Sequence, residues 1–229
     1  MTQIKSKQRV ADHGEVFTSE REVKAMCDLV AVECLRIDSR FLEPACGDGN
    51  FLAEILQRKL EIVKEKYRRS AYDWERNSLL ALGSLYGVDI LADNCAHCRE
   101  RLYQIWATSY KSVCKKECND ETRRAARFIL ERNIVCGNAL SLHCVDEKQK
   151  DTQTPIVFSE WTFPQNNAFL HRKDYTFGEL LNGEEEKKTA RVQQSLYGNE
   201  VQEAAGEGTF IQEYVCHYRR LGEEKMDQQ

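Results

Sequence analysis

Residues Phe41–Leu52 read Phe-Leu-Glu-Pro-Ala-Cys-Gly-Asp-Gly-Asn-Phe-Leu, and this stretch limits the possible folds more than any other. A short apolar strand ends in an acid and a proline, and a Gly-x-Gly turn then opens a strongly apolar helix. Gly47 and Gly49 let the backbone turn tightly and come close to a ligand, where a Cβ would intrude. The N–H groups at the start of the following helix favour a negatively charged ligand group such as a carboxylate. Many loops carry a lone Gly-x-Gly. The strand before it, the helix after it and Glu43 set this one apart.

Periodicity extends the pattern along the chain. Residues 19–36 start with a capping-type serine and place Val23, Met26, Cys27, Val30 and Cys34 at helical spacing. A first strand is expected at Arg40–Glu43, a helix from Asn50 to Arg69, and another near Trp74–Leu82. A second strand should end at Asp89. Helices at 94–113 and 120–132 follow, then strands at Asn133–Cys136 and Pro155–Ser159. Strands alternating with helices predict an α/β fold whose parallel sheet has helices on both faces and a ligand at the carboxyl ends of its strands.

Four segments carry a family resemblance. Glu43-Pro44-Ala45-Cys46-Gly47-Asp48-Gly49-Asn50-Phe51 resembles motif I of the S-adenosylmethionine-dependent amino-methyltransferases that modify adenine in DNA. His13-Gly14-Glu15-Val16-Phe17-Thr18 is similar to motif X of the N6-adenine branch. Tyr86-Gly87-Val88-Asp89-Ile90 resembles motif II, and Gly137-Asn138-Ala139-Leu140 resembles motif III. The four lie in the family's order. They imply a Rossmann-like methyltransferase fold, S-adenosylmethionine as cofactor, DNA as partner and a role in restriction-modification.

The resemblance also implies roles for single residues. Phe17 and Thr18 would close over the methionine end, and Glu43 would sit near its ammonium. Ala45, Cys46, Gly47 and Gly49 would form the cofactor turn. Asp89 would accept from the ribose hydroxyls, Ile90 would pack on the adenine ring, and Asn138, beside Ala139, would face its exocyclic amine. The family usually has Asp where this chain has Asn138. Each residue also has a plainer reading: Asp89 could cap the next turn, Gly137-Asn138 could be an ordinary turn, and Phe17 could staple the helix after Ser19.

After the fourth strand the family places an Asn/Asp/Ser-Pro-Pro-aromatic loop that holds the target base. Here Ser159-Glu160-Trp161-Thr162-Phe163-Pro164 stands at that position, without paired prolines. Ser159 is the candidate polar group and Trp161 the candidate stacking ring, although Trp161 could instead pack under the tail. The expected division is a cofactor-binding domain at 1–160, its sheet truncated after strand four, and a charged extension at 161–229 that is partly mobile or partner-binding. Within that extension only Phe210–Tyr218 reads as an ordered element. Such a chain is either a DNA adenine-N6 methyltransferase or its cofactor-binding subunit, working as a homo- or hetero-oligomer. The alternative is a catalytically inactive S-adenosylmethionine-binding regulatory or structural partner of a methyltransferase.

Composition narrows the setting. No apolar run approaches the ~20 residues of a membrane span, and the N-terminus lacks the apolar core of a signal peptide; a cytoplasmic location is expected. The net charge of −4 argues against a chain that is basic throughout. The set Lys111, Lys115, Lys116, Arg123, Arg124 and Arg127 could meet phosphate or form a solvated helix face. The ten cysteines are expected as reduced thiols. Cys95, Cys98, Cys114 and Cys118 have zinc-like spacing, but Cys95 and Cys98 share a helix with Leu102, Ile105 and Trp106 at core spacing, so no metal is expected.

Overall fold

Ser19 opens the first helix with a reciprocal cap: its hydroxyl accepts from the Glu22 amide at 3.4 Å, and its own amide donates to the Glu22 carboxylate at 3.2 Å. The structure, a computed structural model, describes residues 9–11, 18–164, 167–182 and 211–223. Helix α1 (Glu20–Leu29) buries Val23 and Cys27, and the short α2 (Ala31–Cys34) buries Cys34. Strand β1 (Phe41–Glu43) leads through the glycine turn into α3 (Asn50–Tyr67). Helix α4 (Ala71–Gly83) is capped by Ser70 and precedes β2 (Leu85–Asp89). Helix α5 (Ala92–Cys114) and the Asn119-capped α6 (Asp120–Asn133) lead to β3 (Ile134–Asn138).

β1, β2 and β3 pair in parallel, with Glu43 opposite Gly87 and Asp89 opposite Cys136. The hairpin β4 (His143–Val145) and β5 (Asp151–Pro155) then adds antiparallel to β3, so a mixed five-stranded sheet runs β1-β2-β3-β4-β5. On one face Leu85 and Ile134 join a large cluster with residues from the helices, including Leu56, Trp74, Trp106 and Ile129. On the other, Tyr86 and Val88 pack with Ile156, Phe158 and Phe177.

The expected fourth parallel strand is corrected. The apolar run after Pro155 does not extend the first sheet; it begins a second one. Pro155 has no N–H to donate, which suits it to the edge strand it ends. The Ile156 amide donates to the Leu142 carbonyl at 2.9 Å, and β6 (Val157–Thr162) then pairs antiparallel with β7 (Phe169–Thr176), and β7 with β8 (Gln212–His217). The boundary expected at residue 160 therefore falls inside β6. β8 matches the one element legible in the tail, whereas β7 was not legible. The charge run Gly183–Ala190 lies outside the described residues.

Two buried polar networks weld the second sheet to the helices. Asp174 accepts from Ser159 Oγ at 2.6 Å, from Arg132 of α6 at 2.9 Å and from Arg172 at 2.8 and 2.9 Å. Glu75 of α4, fully buried, accepts from the hydroxyls of Tyr110 and Tyr218 at 2.5 Å each, from Asn119 at 2.9 Å and from Arg219 at 2.8 Å.

A third buried group fixes the start of β1. Lys59 of α3 donates to the Ile37 carbonyl at 3.1 Å, to the Ser39 carbonyl and to Ser84 Oγ at 2.6 Å, and burial pushes its ammonium down to about 7. Among the described residues no helix is long and apolar enough to cross a membrane.

Candidate cofactor-binding site

The glycine turn is locked to the end of β2 by its own backbone. The Cys46 amide donates to the Val88 carbonyl at 2.9 Å, and the Gly49 amide to the Cys46 carbonyl at 2.8 Å. Gly47 and Gly49 have φ of 53° and 86°, the left-handed region that side chains disfavour. A Cβ on Gly49 would lie 2.6 Å from the Cys98 sulfur, so glycine also allows α5 to pass close by. Gly49 caps α3 without any side-chain bond to its first amides. Those N–H groups, with the helix dipole behind them, favour an anionic ligand group.

Asp89 ties this turn to α5. Its Oδ2 accepts from the Gly47 amide at 2.9 Å; its Oδ1 accepts from the Leu91 amide at 2.8 Å and from Asn94 Nδ2 at 3.3 Å. A carboxylate oxygen accepts two hydrogen bonds, so Oδ2 keeps capacity for one more donor, such as a ribose hydroxyl. The plainer reading of Asp89 is seen directly: it caps the turn into α5 and holds the Gly47 turn at the strand end. Ile90 is half-buried beside it, and its carbonyl accepts from the Cys136 thiol at 3.7 Å. Burial pushes the Cys136 thiol up to about 11.

Asn138 ends β3, with Ala139 next to it, half-buried. Its Nδ2 donates to Asp151 at 3.1 Å and its Oδ1 accepts from the Leu140 amide at 3.0 Å. The side chain therefore supports a local turn, with one acceptor site left on Oδ1. Ala45 is exposed and Cys46 buried in the turn. Thr18 lies just before the Ser19 cap, and Phe17, with the rest of His13–Phe17, lies outside the described residues.

Glu43 is half-buried at the end of β1, where a cavity of about 310 Å³ opens between Met26 of α1, Val30 that follows it, and Phe51 of α3. Burial raises the Glu43 carboxyl above its usual range, opposed by a hydrogen bond from the Ala45 amide. An acid whose pKa is raised by folding costs stability once pH exceeds its unfolded value, and the full cost is present above the folded one. Glu43→Gln is therefore expected to melt higher than the wild type at pH 7.5, with the gap narrowing as pH falls towards 5. Thermal melts at the two pH values check this; equal melting at both would remove the assigned cause.

Arg9 and Asn94 are contributors not among the residues expected from the sequence. Arg9 donates to Asp93 at 2.7 Å and to Asn94 at 3.2 Å, so residues 9–11 lie across the start of α5, next to Asp89. Arg101 similarly holds the turn's outer side through Asn50 at 2.7 Å and Asp48 at 3.3 Å. An Asn one turn into a helix after a strand-end acid is a readable positioning signal; the Arg9 contact spans too much sequence to be read.

The candidate acceptor residues Ser159 and Trp161 lie in a buried strand and not on the expected loop. Ser159 is fully buried in the middle of β6, its hydroxyl held by Asp174 and its carbonyl accepting from Tyr86 at 3.2 Å. Trp161 is buried with its ring against Gly83 and edge-on to Phe128. Neither is on a loop. The pleat of an eight-residue-long neighbour, β7, demands regular pairing here, and that pairing consumes the segment read as an acceptor loop.

The cysteines on α5 are largely buried, and three of the basic residues make exposed ion pairs. Cys98 and Cys95 are buried beneath the turn and Cys114 further along α5, and no group of three or more metal-binding side chains converges among the described residues. Arg123 pairs with Asp120 at 2.7 Å, Arg124 with Glu223 at 3.5 Å, and Arg127 with Glu100 at 3.0 Å while lying over the Tyr103 ring.

A larger cavity, about 760 Å³, lies at the amino ends of β1 and β2, beside Arg40, Ser84 and Trp161. It is at the opposite end of the strands from the glycine turn. The hydrogen-bond geometry of the turn, and not cavity size, identifies the candidate site. No family model, no curated protein and no solved structure matches the chain.

Proposed function

We propose that this chain has a Rossmann-like methyltransferase fold and binds S-adenosylmethionine at the carboxyl ends of β1–β3, as a DNA adenine-N6 methyltransferase or its cofactor-binding subunit in a restriction-modification system. One observation carries the reading: Asp89 joins the left-handed Gly47 turn to the start of α5, beside the uncapped amides of α3. That arrangement suits a ligand with a carboxylate, an ammonium and a ribose. The α3 amides would hold the carboxylate, Glu43 the ammonium, and Asp89 Oδ2 a ribose hydroxyl. The bound cofactor would supply the methyl group; this chain's residues would orient it.

A second reading has its own support. Ser159 and Trp161 are locked into the core of a sheet, and base recognition needs a pocket that repays a few kcal/mol of unstacking. A cofactor-binding partner without its own acceptor loop fits this as well. In either case the acceptor side would come from a second chain.

Calorimetry with S-adenosylmethionine and S-adenosylhomocysteine tests the proposal. Binding is expected, and Asp89→Ala should weaken it by about 1–3 kcal/mol, the cost of losing a hydrogen-bond acceptor in a buried site. Absence of heat and of a thermal shift at millimolar ligand would end the proposal. Labelled methyl transfer to DNA by the chain alone should be weak or absent, because small misplacement of an acceptor costs on the order of a hundredfold in rate. Transfer restored by an added partner chain would favour the enzyme; binding without transfer in any combination would favour the inactive partner.

A further inference from the structure

The buried amine that anchors β1 also faces a hydroxyl. Lys59 Nζ meets the carbonyls of Ile37 and Ser39 and, at 2.6 Å, the Oγ of Ser84, which follows α4; among the described residues it pairs with no carboxylate. Carbonyls only accept, so they take two of its N–H groups. The remaining position on the nitrogen points at Ser84. It is a third N–H in the ammonium and a lone pair in the neutral amine. Burial pushes this ammonium down to about 7, with Arg36 acting in the same direction and Cys34, Asp38 and Glu33 against it. The neutral amine is therefore well populated at ordinary pH.

Ser84 has a matching choice. Its Oγ also lies 2.8 Å from the Ala81 carbonyl. With Lys59 charged, the hydroxyl hydrogen turns to Ala81; with Lys59 neutral, it can turn to Nζ. A serine hydroxyl bonded to an adjacent base is an activated nucleophile.

Ser84 lines the cavity of about 760 Å³ at the amino ends of β1 and β2, a volume common among ligand pockets. Leu42, Leu80, Phe158, Phe177 and Leu180 give it apolar walls. Its charged residues pair among themselves, Arg36 with Glu33 and Asp38 and Arg40 with Glu160, which favours a neutral ligand. Trp161 lines the same cavity at 3% exposure, and its indole N–H has no acceptor among the described residues. The Cδ1 bonded to that nitrogen would stand 2.7 Å from a Cβ on Gly83, so this edge of the ring lies against the residue before Ser84. A buried donor left without an acceptor costs free energy, and donors held ready in this way stabilise the oxyanion of acyl transfer.

We propose that Ser84 and Lys59 are a nucleophile and its base, hydrolysing carboxylic esters with an apolar acyl group in this cavity, with the Trp161 N–H as donor to the oxyanion. Ser84 Oγ forms a bond to the ester carbonyl carbon while its proton passes to Lys59 Nζ. The bond from that carbon to the alcohol oxygen then breaks, and Lys59 returns the proton to the departing alcohol. Water adds to the acyl-serine by the same relay and releases the carboxylic acid and the Ser84 hydroxyl. This site is at the opposite end of the strands from the glycine turn, so its outcome is separate from that of S-adenosylmethionine binding.

An alkyl fluorophosphonate, from which a serine oxygen displaces fluoride at phosphorus, tests the nucleophile in the full chain. Mass spectrometry should find one adduct, on Ser84. Hydrolysis of p-nitrophenyl butyrate should rise with pH through about 7, as Lys59 loses its proton, and then level. Ser84→Ala should lose both signals, and Trp161→Phe, which keeps a ring but not the N–H, should slow hydrolysis by about a hundredfold. Because Lys59 also anchors β1, the pH profile reads its role without replacing it. No adduct, an adduct only on another residue, or hydrolysis that survives Ser84→Ala overturns the proposal. A rate that is flat through about pH 7 removes Lys59 as the base, and an unchanged rate in Trp161→Phe removes the oxyanion donor.

Discussion

Glu75→Ala is expected to destabilise the chain by about 3–5 kcal/mol, the range found when one partner of a buried charged network is removed. The side chain is fully buried and gathers donors from three parts of the sequence: Tyr110 at the end of α5, Asn119 at the cap of α6, and Tyr218 with Arg219 after β8. Its loss would leave two buried hydroxyls without their acceptor and release the clasp on the C-terminal turn. Burial and the neighbouring carboxylate already push the Tyr110 and Tyr218 hydroxyls to high pKa, so both stay protonated donors at any ordinary pH. For a chain of this size the loss corresponds to roughly 6–20 °C in melting temperature. Urea denaturation measures it, and Tyr218→Phe, which removes only one donor, should cost far less. A shift in Glu75→Ala of under about 1 kcal/mol would mean that the Glu75 network adds little to holding the second sheet.

Gly49→Ala should act at the glycine turn by two separable costs. An L-residue held in the left-handed region loses about 1–2 kcal/mol, and overpacking a filled site loses about 1–3 kcal/mol more. The new methyl would stand 2.6 Å from the Cys98 sulfur, with the Cys98 Cβ and Cα behind it at 3.4 and 3.5 Å. Shortening the obstacle separates the two costs. In a double-mutant cycle Cys98→Ala should recover the packing part and leave the backbone part, giving a favourable coupling between the two changes. Strict additivity would show that the sulfur simply rotates away. Ligand affinity of Gly49→Ala, measured on whatever fraction remains folded, should fall with the distortion of the turn.

The parts of this fold that were legible in the sequence are those set by local signals. Ser19 and the helical spacing of apolar residues mark helices whose ends fall within a few positions of the observed ones, although the stretch 19–36 is broken at Val30. The glycine turn and Asp89 were legible because strand, turn and acid are contiguous in short motifs. The fourth strand was misread because a continuous apolar run, Ile156–Phe158, carries no sign of which sheet it joins. Pro155 was the available clue, as a residue that ends pairing. β7 escaped notice because its buried face, Leu170, Arg172 and Asp174, is mostly charged, and its burial is made possible by partners such as Arg132 and Ser159. Pairing of charges across 42 residues leaves no periodic trace.

The means by which β1 is held has a thermodynamic consequence for any ligand at its carboxyl end. The strand is gripped at its start through Lys59, which binds the carbonyls of Ile37 and Ser39, and at its finish through the Cys46–Val88 and Gly47–Asp89 bonds. Fixed at both extremities, β1 has no slack to lose. A ligand arriving there finds the first amides of α3 already aimed, so little of its binding energy is spent on ordering them. The entropy of association should then report mainly on the ligand itself and on released water.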